Sequence, residues 1–199
     1  VSRLPASVRS AFGAALAAFA VLAAAGCDGG TIAADTAASN GQSFVSHSYE
    51  STFFPVGHRP DAPAVSGTTV NGGQRLSLAS YRGDTIVLNF WGSWCSPCRA
   101  EAPALAQLAR QLQPKGVRFV GIDILDEPDS AKAFMQTFNV GYPSLNDPAD
   151  EIALRFHSTV PPAAIPTTLV IDRSGRIAAR IFGAATYVEL KSLISQVTG

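Results

Sequence analysis

The chain of 199 residues has little charge, with Asp, Glu, Lys and Arg making up 15% of it, against about a quarter in ordinary globular chains. Fifteen basic and fifteen acidic residues cancel, so the basic field that nucleic-acid binding needs is absent. An apolar content of 47% excludes a solvated, disordered chain. Three cysteines are too few for a disulfide scaffold, and their odd number calls for separate roles. Long apolar runs are missing too. Between Arg9 and Cys27 lie 17 uncharged residues, mostly Ala, fewer than the roughly 20 that span a bilayer. No internal repeat is visible.

What is present falls into three parts. Arg3 and Arg9, a short apolar core and small residues at its end read as an export signal over residues 1–26. The stretch Leu22-Ala23-Ala24-Ala25-Gly26-Cys27 resembles a bacterial lipobox, although Ala24 stands where that pattern usually has Leu. The resemblance implies that Cys27 is lipidated, becomes the mature N-terminus and anchors the protein to the membrane. Cleavage near Ala25, giving a soluble secreted or periplasmic protein, stays open. Two or more acyl chains would hold the protein firmly, where one binds only marginally. Residues 27–56, rich in Gly, Ala, Ser and Thr without a hydrophobic period, read as a flexible tether with a reach of roughly 30 Å. His47 within it reads as a solvated side chain.

Residues 57–199 have the pattern of one folded domain with enough chain for a substantial core. Ala64-Val65, Thr68–Val70 and Gln74–Leu78 read as short strands, with Ser66-Gly67 and Asn71–Gly73 as turns. Thr85–Phe90 is a continuous apolar run suited to a strand buried on both faces, and Val117–Ile122 is a second. Asp129 is placed to cap a helix carrying Phe134, Met135 and Phe138. Asp147-Pro148 reads as the start of another, with Ala149, Ile152, Ala153 and Phe156 at helical spacing. Thr168–Ile171 and Ile177–Ile181 flank the turn Asp172–Gly175. Thr186 is placed to cap a last helix with Leu190, Leu193, Ile194 and Val197 inward. The alternation is that of an α/β protein.

Trp91-Gly92-Ser93-Trp94-Cys95-Ser96-Pro97-Cys98 follows the first buried run and opens a helix whose apolar face carries Leu105, Leu108, Ala109 and Leu112. A thiol at a helix N-terminus faces unpaired backbone N–H groups and the positive end of the helix dipole. Both favour thiolate over thiol. Cys95 is therefore the expected exposed nucleophile, and Cys98, one turn on, is placed to close a disulfide with it. Pro97 presets the first turn. Zinc would need two more ligands, and Cys27, His47, His58 and His157 form no second pair. Haem attachment would need His where Arg99 stands. A structural disulfide across so short a loop would stabilise little. Redox exchange is the reading that remains strongest.

The stretch from Leu88 to Pro103, LNFWGSWCSPCRAEAP, resembles the thioredoxin superfamily, and most closely its TlpA/ResA/CcmG-type extracytoplasmic thiol–disulfide oxidoreductases, with their redoxin or AhpC/TSA-like domain. The resemblance implies a thioredoxin-like α/β fold over residues 57–199: a central mixed sheet flanked by helices, an N-terminal β-hairpin and a helical insertion near 130–138. It implies that Ala164-Ile165-Pro166-Thr167-Thr168 is the cis-proline loop beside the cysteines, where the Ile165 backbone pairs with an incoming peptide. Trp94, Pro97, Ile165 and Pro166 are then substrate-binding. Glu101 falls where ResA-type members carry an active-site acid that tunes the cysteines and moves protons; its other reading is a first-turn helix acid. Asn89 stands where cytosolic thioredoxins have a buried Asp. Pro103 falls at the helix-kink proline, and Pro161-Pro162 is an addition before the loop.

The implied activity is dithiol–disulfide exchange through Cys95 and Cys98, with no cofactor beyond that redox-active pair and no metal. The implied substrates are disulfides of exported proteins, such as apocytochrome c. A membrane thiol carrier is the implied electron donor. Three alternatives stay open: an oxidant that installs disulfides, a thiol peroxidase of the peroxiredoxin kind, and a Sco-like copper-binding protein.

Overall fold

The computed structural model describes residues 50–161 and 163–199. The expected signal at residues 1–26, the lipidation site Cys27, His47 and Pro162 lie outside the described residues. Among the described residues eight strands and three helices follow one another: β1 (Glu50–Phe53), β2 (Ser66–Thr68), β3 (Arg75–Ser77), β4 (Thr85–Trp91), α1 (Ser96–Leu112), β5 (Val117–Ile124), α2 (Pro128–Thr137), β6 (Ser144–Asp147), β7 (Thr167–Ile171), β8 (Ile177–Phe182) and α3 (Tyr187–Thr198).

Six strands form one mixed sheet in the order β1-β8-β7-β4-β5-β6. β4 pairs parallel with β5, and β5 parallel with β6, while β7 and β8 run antiparallel to their neighbours. All seven residues of β4 are buried, as suits a mostly apolar central strand with helices on its connections. Alternation along β4 and β5 sends side chains to two layers. Val87, Trp91, Val117 and Phe119 pack with Cys98, Leu105 and Leu108 of α1, Phe134 and Met135 of α2, and Leu190 and Ile194 of α3. Leu88, Phe90, Val120 and Ile122 face the other layer, with Val65, Leu78, Phe156 and Val160.

α1 starts where Pro97 fits its first turn, and it buries Cys98, Glu101, Ala102, Leu105, Leu108 and Leu112 at three- and four-residue spacing. The expected cap of α3 is observed, with Thr186 Oγ1 accepting from the Glu189 N–H at 3.2 Å. The Asp172–Gly175 turn is also observed. Asp172 Oδ1 accepts from the Ser174 and Arg176 amides, and Gly175 supplies the positive φ of 86°.

Four expectations differ from the structure. Glu50–Phe53, placed in the tether by composition, is a strand paired antiparallel with β8. Polar side chains suit such an edge strand, which needs only backbone pairing. Ala64-Val65 is not a strand, and Ser66-Gly67 is not a turn but part of β2, paired with β3. Gly67 is accommodated because Ile152 Cδ1 sits 3.0 Å from where a Cβ would stand. Asp147 does not open a helix. Ser144–Asp147 is strand β6, and only a 3-10 turn at Ala153–Phe156 follows. The Asp147 carboxylate takes up the Ile152 and Ala153 amides at 3.0 and 2.8 Å, giving the chain a local alternative to helix. Finally, α2 starts at Pro128 after Glu127, so Asp129 lies inside its first turn rather than at its cap.

Candidate active site

The sheet delivers the Trp91-to-Cys98 segment to the C-terminal end of β4, at the start of α1. Gly92 permits a tight return. A Cβ there would stand 2.7 Å from Trp94 Nε1, and the indole N–H instead reaches the Leu125 carbonyl at 3.2 Å. Cys95 is the N-cap of α1 in extended conformation, and its Sγ accepts from the Cys98 N–H at 3.2 Å. Cys95 and Cys98 are joined as a disulfide with Cα atoms 5.3 Å apart. The structure qualifies the expectation of an exposed nucleophile: Cys95 is 5% exposed and Cys98 1%. Both residues are buried in the oxidised pair, Cys95 slightly less than Cys98. Trp94 beside it is 55% exposed, and Pro97 is on the surface.

Glu101 is not a first-turn acid. It is the sixth residue of α1, one turn after Cys98 and only 3% exposed. Its Oε1 accepts from Asn89 Nδ2 at 2.8 Å, and its Oε2 from the Ala185 amide at 2.7 Å. Burial pushes its carboxyl from an ordinary 4.5 up to about 7, against the pull of the Ala185 and Asn89 donors. Asn89, itself buried, gives its second N–H to Thr168 Oγ1 at 3.1 Å. A side-chain network therefore runs from the CxxC helix through β4 to β7, the strand that leaves the proline loop. Neutral Asn89 can link the two where an aspartate would repel Glu101.

The Ile165–Pro166 bond is cis. Pro166 is buried, and Ile165 packs against the cluster that contains both cysteines. The Ile165 N–H is already given to the Ala163 carbonyl at 3.0 Å, and the Pro166 carbonyl accepts from Gly183 at 2.9 Å. The loop is thereby tied on its own side.

The β5–α2 junction adds residues the sequence reading did not single out. Asp126 accepts from the Ser93 N–H at 2.5 Å and from the Ser93 hydroxyl at 2.9 Å. Asp123, also missed, is fully buried with no partner for either oxygen among the described residues. A charge inside the apolar run Val117–Ile124 was the available signal. Among the described residues no group of three His, Cys, Asp or Glu is placed to hold a metal ion. His157 holds its own turn, with Nδ1 3.0 Å from the Leu154 carbonyl.

The comparisons with known proteins agree with this geometry. The chain matches the AhpC/TSA family over residues 59–180. It is 32% identical over 127 residues to the thiol-disulfide oxidoreductase ResA of Bacillus thuringiensis subsp. konkukian, covering 63% of this chain and 70% of that protein. The Bacillus subtilis ResA is 30% identical over 126 residues, covering 63% and 68%. Among solved structures, a secreted thiol-disulfide isomerase from Corynebacterium glutamicum superposes with a TM-score of 0.71 at 28% identity, covering 77% of this chain and 94% of that one. A DsbF homologue from Corynebacterium diphtheriae gives 0.69 at 30% identity, covering 76% and 95%. With the sequence match, the fold and the CxxC disulfide in agreement, the chain belongs to the AhpC/TSA family and is a thioredoxin-like thiol–disulfide oxidoreductase of the ResA type.

Proposed function

We propose that this protein works outside the cytoplasm, anchored through a lipid on Cys27, and reduces disulfides of exported proteins, those of maturing apocytochrome c among them. The observation that carries the reading is the Cys95–Cys98 pair at the N-terminus of α1, one turn from a carboxyl poised near neutrality. Cys95 thiolate attacks one sulfur of a partner disulfide and forms a mixed disulfide, expelling the other partner sulfur, which takes a proton. Cys98, giving its proton to a base, attacks Cys95 and releases the second partner sulfur. The partner gains two electrons and two protons, and Cys95–Cys98 becomes the disulfide. Glu101, buried one turn after Cys98 on the same face of α1, serves as that base. A membrane thiol carrier restores the dithiol.

Trp94, Pro97, Ile165 and Pro166 form the substrate surface. Because the Ile165 N–H is engaged by Ala163, an incoming strand is held by the Ile165 carbonyl rather than by both backbone groups. The secreted relative from Corynebacterium glutamicum supports the extracytoplasmic placement.

The equilibrium potential of Cys95–Cys98 against a glutathione or dithiothreitol buffer tests the direction. A value near about −270 mV is expected for a reductant; one near about −120 mV would make the protein an oxidant, since 150 mV is roughly 7 kcal/mol for two electrons. Cys98→Ser is expected to trap partners as mixed disulfides on Cys95. Capture of no exported protein would count against the substrate class. Metabolic labelling with a radioactive fatty acid, lost in Cys27→Ala, checks the anchor.

A further inference from the structure

Ser93, two residues before Cys95, hangs from a single carboxylate. Asp126 takes its amide and its hydroxyl, and Asp126 Oδ1 also accepts from the Glu127 amide at 2.9 Å. The residue before it, Leu125, supplies the carbonyl for Trp94 and adopts a positive φ of 50°. A leucine rarely takes that conformation. It turns the chain so that Leu125 and Asp126 together hold Ser93 and Trp94. Arg99 adds only a long contact to the Ser93 carbonyl at 3.4 Å.

Beneath this clasp lies Asp123. As a carboxylate it would find no donor among the described residues. The negative charge of nearby Asp126 disfavours its ionisation further. Burial is the larger cause, and its carboxyl is pushed up to about 8 by burial, then Asp126, then Asp147. Its register partners on the adjacent strands, Trp91 and Asn146, carry no charge. The nearby start of α2 carries Glu127, Asp129 and Lys132, the last two paired at 3.5 Å. Asp150 follows Asp147 and is itself raised by burial and by Asp147. Among the described residues no ion pair includes Asp123.

We propose that Asp126 is a positioning residue of the redox centre, gripping Ser93 to set the Trp94–Cys95 turn, and that fully buried Asp123, lacking any donor to stabilise a charge, stays uncharged and leaves the Asp126 carboxylate free for that grip. Asp126 does not touch the reacting sulfurs; it acts through Ser93. Once Asp123 ionises, two carboxylates repel at the clasp. The turn carrying Cys95 then loosens. This rests on exchange at Cys95–Cys98 and is independent of the direction of electron flow.

The test follows the Ser93 amide by NMR and the alkylation rate of Cys95 in the reduced, full-length protein. Exchange of the wild type with glutathione is measured alongside, so failure of the site reading is seen there and failure of this inference only in the variants. In the wild type the Ser93 amide shift should titrate near pH 8. Asp123→Asn should abolish that step, and its persistence would overturn the role given to Asp123. Asp126→Ala should speed Ser93 amide exchange about tenfold or more, as expected for loss of a hydrogen bond to a charged group, and shift the pH midpoint of Cys95 alkylation. Wild-type protection with an unmoved midpoint would overturn the grip. Should Asp126→Ala fail to fold, Asp126→Asn and Ser93→Ala decide the matter by the same midpoint, which a merely structural contact would leave in place.

Discussion

Two acids are buried against the helical layer of the sheet, and the protein treats them differently. Glu101 meets a donor on each oxygen, from Asn89 and Ala185. Asp123 meets none among the described residues and stands near Asp126 and Asp147 instead. Burial raises both, to about 7 and about 8, but Glu101 starts from the higher ordinary value, 4.5 against 3.8. Asp123 is therefore displaced much further. The lesson is that donors decide what a buried acid is for. A carboxyl supported in both protonation states can pass a proton at neutral pH, whereas one supported only as the acid holds its proton and serves the structure around it.

The largest expected effect lies at the sulfurs. Cys95→Ser should abolish disulfide exchange, leaving neither acid anything to act upon; turnover of a disulfide substrate above background would refute the assignment. The next largest effect is on stability. Asp123 holds its proton in the folded protein while the unfolded chain releases it. Its stabilising contribution is therefore complete below about 3.8 and is lost as pH rises to about 8. Asp123→Asn should remove that loss, a gain of up to roughly 4 kcal/mol at pH 7, seen in denaturant midpoints across pH. A gain that does not grow from pH 5 to pH 8 would show that Asp123 is not held as the acid.

Glu101→Gln should slow exchange by about 10²-fold, the lower end for a positioned acid–base group, and remove the inflection near pH 7 from the rate profile. An unchanged profile would reduce Glu101 to a packing residue. The smallest effect sharpens the geometry of the Asp123 side. A Cβ on Gly121 would stand 2.2 Å from Ser144 Oγ and 2.6 Å from Trp91 Nε1. Gly121→Ala should therefore cost about 1–3 kcal/mol by overpacking, and wild-type thermal stability would show that this layer yields.

Much of this was legible in the chain because local signals agreed with the fold. The apolar run of β4, Pro97 in the first turn of α1 and the paired cysteines each pointed to one arrangement, and the Thr186 cap marked α3. The misreadings share a cause. Ala149, Ile152, Ala153 and Phe156 have helical spacing, but Asp147 takes two amides and cuts the helix to a single 3-10 turn. β1 and β6 are short edge strands whose polar residues carry no period. Asp126 was invisible for a different reason. Its partner Ser93 is 33 positions away, and only the parallel pairing of β4 with β5 brings them together.

The hydrogen bond from the Ala185 amide to Glu101 reaches beyond chemistry. Ala185 immediately precedes Thr186, the cap of the C-terminal helix, so Glu101 is also a bolt between the first helix and the last. Every proton Glu101 gains or gives changes the polarity seen by that one N–H. The Ala185 resonance is thus an intrinsic probe of the protonation of Glu101, readable without a label near the sulfurs. A tag or truncation at the C-terminus that disturbs α3 should register as a changed redox pH profile before it registers as unfolding.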